Sequence, residues 1–144
     1  MTLVVDAGPL IAGAVPREPE HARCVALLRA NTELVVPSFV VCEVAYMLER
    51  HVGPHAGRAF ADSFRKGHLV VEPVEPSDWE RVCELVDRYA DLPLGIVDAS
   101  VVATCERLGV TRLATLDHRH FGVVRPRHCE ALELLPSISS SNAA

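Results

Sequence analysis

Leu34-Val-Val-Pro-Ser-Phe-Val-Val-Cys-Glu43 holds a complete strand-to-helix transition. Leu34 to Val36 is short, apolar and β-branched, as a strand buried on both faces requires. From Ser38 the spacing changes, and Val40, Val44, Met47 and Leu48 fall on one helical stripe that runs to His51, with Gly53 as a stop. Only Pro37 separates the two patterns, so the helix must begin at the edge where the strand ends. Four other short apolar runs repeat the strand reading: Leu3 to Asp6, Leu69 to Val71, Leu113 to Thr115 and Leu132 to Leu135.

Helical patterns fill the intervals. Pro19 to Ala30 carries Pro in its first turn and Asn31 beyond its end. Pro54 to Lys66 places Ala56, Phe60, Ser63 and Phe64 on one stripe and ends at Gly67. Ser77 and Glu80 have the spacing of a capping box, opening a helix with Trp79, Val82, Cys83, Val86 and Tyr89. After the turn-like Asp91-Leu-Pro-Leu-Gly95, a helix from Ile96 to Leu108 closes at Gly109. Alternating strands and helices predict an α/β layered fold with a mostly parallel sheet.

The chain has 144 residues, which at roughly 100 to 200 residues per domain predicts one domain, here residues 1–136, followed by a loose tail over 137–144 without apolar periodicity. With 14 basic against 19 acidic residues, the net charge is −5, which excludes a generally basic nucleic-acid-coating surface. Five cysteines, Cys24, Cys42, Cys83, Cys105 and Cys129, form no CxxC pair and are odd in number. Buried free thiols in a reducing cytosol are the expectation. No apolar run approaches the roughly 18 residues of a membrane span, and no leader pattern opens the chain, so a cytoplasmic protein is expected.

Ligands of an open parallel sheet bind beyond the carboxyl ends of the strands. Four acids are expected there. Asp6 ends the first strand, Asp117 follows the strand near Leu113, and Asp98 leads the stripe Val101, Val102 and Cys105 from the first turn of its helix. Glu43, at about 100° per residue, lies on the flank of its apolar stripe beside Val40 and Met47. Taken singly, these could be turn or helix-cap acids, or a boundary glutamate with its stem buried. Together on one edge they would repel one another unless cations neutralised them. Carboxylate oxygens suit hard divalent ions, and two such ions could clamp a phosphodiester for in-line attack.

Val4-Val-Asp-Ala-Gly-Pro-Leu-Ile11, Val36-Pro-Ser-Phe-Val-Val-Cys-Glu-Val44, Leu94-Gly-Ile-Val-Asp-Ala-Ser100 and Leu113-Ala-Thr-Leu-Asp-His-Arg-His-Phe121 together resemble the PIN-domain nucleases, specifically the VapC-type toxins of toxin–antitoxin pairs. The resemblance reaches to about Leu135. It implies a three-layer α/β/α fold around a five-stranded parallel sheet, and a metal-dependent endoribonuclease site of Asp6, Glu43, Asp98 and Asp117. It further implies Mg²⁺ as cofactor with Mn²⁺ as a substitute, an RNA substrate such as tRNA or rRNA, a VapB-type antitoxin and a homodimer. Asp6, Glu43 and Asp98 would hold the principal ion, with Asp117 completing the shell or ordering a second. Thr115 matches the family's T-x-D pattern and would orient a carboxylate or water. Members usually carry Ser or Thr two residues after the first acid, where this chain has Gly8.

His118 and Arg119 could touch RNA phosphate at the rim, and Arg17 and Arg125 lie in other candidate loops. His118, His120, His128 and Cys129 match no strong zinc spacing. Asp91 is expected to be a turn acid. A haloacid-dehalogenase phosphatase would need a second Asp at position 8, and a receiver domain a late lysine, whereas the only lysine is Lys66. The rival from another class is a PIN-like module that binds RNA or protein without cutting.

Overall fold

The computed structural model describes residues 1–138. It is built from β1 (Thr2–Val5), α1 (Ala7–Ala14), α2 (His21–Ala30), β2 (Glu33–Pro37), α3 (Ser38–His51), α4 (Pro54–Arg65), β3 (Val70–Glu72), α5 (Asp78–Arg88), α6 (Ile96–Leu108), β4 (Arg112–Ala114), α7 (His118–Val123) and β5 (Glu133–Leu135). The five strands form one sheet in the order β3-β2-β1-β4-β5, and every pairing is parallel. The tail expected over 137–144 lies, from residue 139 on, outside the described residues.

Apolar character sorts the strands. Leu3, Val4 and Val5 of β1, Leu34, Val35 and Val36 of β2, and Leu113 and Ala114 of β4 are all buried. The edge strand β3 departs from the expectation of burial on both faces, because one long side of it lacks a neighbour: Val70 is 48% and Val71 43% exposed. α1 to α4 lie in the connections that step the chain from β1 to β2 to β3, and the right-handedness general to such parallel crossovers puts them on one face. The return from β3 to β4 reverses direction and lays α5 and α6 on the other face. Contacts of α1 with α2 and α3, of α3 with α4, and of α5 with α6 follow this division, and α3 also meets α6.

α6 is buried on all sides from Ala99 to Cys105. Small residues make that possible, and their hydroxyls are satisfied within the helix: Thr104 Oγ1 donates to the Ser100 carbonyl at 2.7 Å and Ser100 Oγ to the Val97 carbonyl at 2.6 Å. At its far end, Arg107 donates to Asp78 at 3.0 Å and to Glu72 at 2.7 Å, tying α6 to the start of α5 and the end of β3.

Several local expectations are corrected. α2 begins at His21 rather than Pro19, which stands in the preceding turn. The Ser77 and Glu80 capping box is absent: Ser77 has helical backbone and makes no cap bond, whereas the buried Asp78 accepts from the Glu75 amide at 2.9 Å. Trp79 is exposed on α5 and meets Phe39 of α3, ring centres 5.7 Å apart. Of the five free thiols only Cys24 and Cys105 are buried; Cys42 and Cys83 are exposed and Cys129 is intermediate. Two helices also form where no helix was expected. In α1, Pro9 sits in the first turn, where its missing N–H leaves no bond unmade. In α7, a single short turn is anchored by Phe121, which is 1% exposed. Among the described residues no helix is long and apolar enough to cross a membrane.

Candidate active site

Strand order reverses between β1 and β4, and in an open parallel sheet that reversal is where strand ends leave a cleft. Asp6 stands at the end of β1, its amide donating to the Ala114 carbonyl of β4 at 2.9 Å. It holds the N-cap position of α1 in extended backbone, yet its carboxylate makes no cap bond. Instead it accepts from the Thr115 hydroxyl at 2.9 Å. Thr115 is fully buried and its oxygen also accepts from the Asp117 amide at 3.0 Å. One hydroxyl therefore fixes two acids from adjacent strand ends relative to each other.

Asp6, Glu43, Asp98 and Asp117 line the same open cleft, of about 460 Å³, together with Ala7, Gly8 and Leu116. α3 brings Glu43 because its helix starts directly at the end of β2, and α6 brings Asp98 in its first turn. Among the described residues, none of the four is paired with Lys or Arg. Gly8 faces Leu116: a β-carbon at position 8 would lie 3.1 Å from Leu116 Cβ. The position where the family usually carries a hydroxyl is thus crowded by the residue between Thr115 and Asp117.

The charges disturb one another. Burial pushes the Asp6 carboxyl above its ordinary range, against the pull of the Ala7 amide and the Thr115 hydroxyl, and Asp117 pushes it further up. Glu43 is raised by partial burial and by Asp6. Asp98 is pushed up to about 6, first by burial and then by Asp6, Asp117 and Glu43, with His120 pulling the other way. A cluster that resists its own ionisation, rich in carboxylate oxygens and open to water, suits a hard divalent cation.

Sequence reasoning left His120 without a place. Asp117 is the N-cap of α7, and its Oδ1 accepts from the His120 amide at 3.0 Å while Oδ2 lies 2.7 Å from His120 Nδ1. The only signal was spacing, since the third residue after a helix cap returns to the cap's side chain. The other residues considered with it diverge. His128 Nε2 lies 2.8 Å from the Val110 carbonyl, Cys129 packs beside it, and His118 lines a separate depression with Glu20 and Arg23. Arg119 and Arg17 are exposed. The Arg125 guanidinium donates to the Gly122 carbonyl at 2.9 Å, and Asp91 is exposed in a turn.

Two outcomes follow from this arrangement. The folded chain holds a proton on Asp98 up to about pH 6, whereas the unfolded carboxyl loses it near 3.8. The penalty of the charged group is therefore absent below 3.8 and complete above 6. In chelator, Asp98→Asn should stabilise the protein by about 1 kcal/mol at pH 7.5, after allowance for solvent screening and the lost helix-start charge, and should give no gain at pH 3.5; urea unfolding at both pH values checks it. Thr115→Val, which strips both Asp6 and the Asp117 amide of a partner, should cost about 1–3 kcal/mol in the same measurement.

The PIN domain family signature matches residues 3–125. Ribonuclease VapC26 of Mycobacterium tuberculosis is 30% identical over 125 residues, covering 86% of this chain and 93% of that protein. In fold the chain is similar to the crystal structure of Mycobacterium tuberculosis VapC20, a sarcin–ricin loop cleaving toxin, with a TM-score of 0.70 and 22% identity over 77% of this chain and 86% of that one. It is similar also to VapBC2 of Rickettsia felis, determined bound to a DNA fragment from its promoter, with a TM-score of 0.67 and 15% identity over 93% of this chain and 97% of that one. The signature runs unbroken from β1 past the end of α7 and so takes in every segment that contributes an acid to the cleft: the chain belongs to the PIN-domain family.

Proposed function

We propose that this chain is a Mg²⁺-dependent endoribonuclease and the toxin component of a type II toxin–antitoxin pair. The observation that carries the reading is the meeting of Asp6, Glu43, Asp98 and Asp117, from four separate segments, in one open cleft without a Lys or Arg partner. Asp6, Glu43 and Asp98 hold the principal ion, and Asp117 completes the set; Mn²⁺ is the natural substitute. When bound, divalent cations here lower the pKa of water and neutralise the phosphodiester under attack. The rest is the work of the chain's own groups. Thr115 keeps Asp6 and Asp117 in register, α6 aims Asp98 into the cleft, and the buried strand ends keep all three from swinging outward.

The relative named Ribonuclease VapC26 supports RNA as the substrate, with tRNA or rRNA as the structured targets. Arg119, exposed and two residues beyond Asp117, is a candidate for RNA phosphate contact, as is His118. A VapB-type antitoxin fits a second feature. Leu10, Leu28, Leu34, Leu48, Phe60 and Leu69 line a mainly apolar groove of about 420 Å³ between α1, α2, α3 and α4. Such a groove accepts the apolar face of an amphipathic helix. Trp79, Cys83, Val86 and Ile96 line another apolar depression, on α5 and the start of α6, which supports pairing of two copies. A module that only binds has no use for a concentration of uncompensated acid, and no observation favours it.

Cleavage of total cellular RNA by wild type and Asp98→Asn, with Mg²⁺ and with chelator, tests the reading. Discrete cuts that need Mg²⁺ and fall by about 100-fold or more in the variant are expected. Equal cutting by both proteins, or none by either in any RNA class, would overturn it.

A further inference from the structure

Asp98, Asp117 and His120 each bring a ligand atom within 4.8 Å of the other two. His120 has no task in a site of four acids, yet its place is fixed from several sides. Its amide and ring nitrogen both engage Asp117, its side chain is only 22% exposed, and the next residue, Phe121, is locked into the core. His120 Nδ1 lies 2.7 Å from Asp117 Oδ2, so an imidazole nitrogen and a carboxylate oxygen converge on one point of the cleft. A divalent cation is a species that can bind both atoms at once.

We propose that His120 supplies a nitrogen ligand to a second cation position shared with Asp98 and Asp117, so that this half of the cleft selects Mn²⁺ over Mg²⁺. The inference rests on the nuclease reading above and refines its cofactor. Mg²⁺ prefers oxygen ligands and keeps its waters, while an imidazole gains in value along the first transition series. The other half of the cleft, Asp6 and Glu43 with Asp98 shared between the two, offers oxygen alone and does not discriminate in this way. The two positions then differ in chemistry although they share a carboxylate.

Electron spin-echo envelope modulation of Mn²⁺ added to the metal-free protein reads this directly, without reference to activity. Wild type should show the ¹⁴N modulation of a coordinated imidazole. His120→Gln and His120→Asn should lose it and bind Mn²⁺ about tenfold more weakly or worse, with Mg²⁺ binding little changed. His118→Gln should keep the signal, and thermal unfolding of each variant separates loss of a ligand from loss of fold. Bound Mn²⁺ without nitrogen modulation in wild type, or modulation that persists in both folded His120 variants, overturns the inference and leaves the nuclease reading standing. If the protein binds neither Mn²⁺ nor Mg²⁺, both fall.

Discussion

Four carboxylates gathered at the edge of a parallel sheet are a standing electrostatic cost, and the fold fixes the backbone from which each one projects. Asp6 is fixed by the pairing of β1 with β4, Asp117 by the Thr115 hydroxyl, Asp98 by the buried helix α6, and Glu43 by the direct passage from β2 into α3. Each acid could be more stable alone and in water. The apolar strands beneath supply the burial that keeps the group together, and the raised carboxyl of Asp98, near 6, records the resulting strain. A divalent cation reverses the sign of that interaction. On the proposed reading, the charges that oppose one another would be the ligands of the ion.

The topology explains why these acids and no others meet. With the order β3-β2-β1-β4-β5, only β1 and β4 flank the reversal, and both deliver their acids within three residues of their last strand position. Asp78, by contrast, is as buried as Asp6 but faces Arg107 and the Glu75 amide at the junction of α5, α6 and β3. It is a structural acid, satisfied by a cation of the chain itself.

Much of this could be read from the residues in order. The five apolar runs and the passage from Val36 through Pro37 to Ser38 marked the parallel sheet, and strand ends located Asp6 and Asp117. What escaped was short or punctuated. Gly8, Pro9 and Gly13 carry turn signals, yet a helix tolerates a Pro in its first turn, so α1 forms among them. α7 has six residues, fewer than two turns, and leaves no periodicity to recognise. Without α7 there was no reason to bring His120 to Asp117. Cys42 and Cys83 show the opposite failure: apolar by type and helical by position, they lie on faces turned away from the core, which their identity alone does not mark. The Ser77 and Glu80 spacing was a genuine pattern overruled by a stronger local competitor, Asp78.

A divalent cation that relieves the cleft's mutual repulsion must also stabilise the folded chain. Thermal unfolding of the wild-type protein with and without Mg²⁺, at constant ionic strength, tests it most directly. The unfolding temperature should rise at pH 7.5, by an amount that shrinks as the pH falls through the Asp98 value of about 6 and vanishes in an Asp6→Asn, Asp98→Asn double variant. A rise matched by NaCl at the same ionic strength, or one undiminished in the double variant, would contradict it.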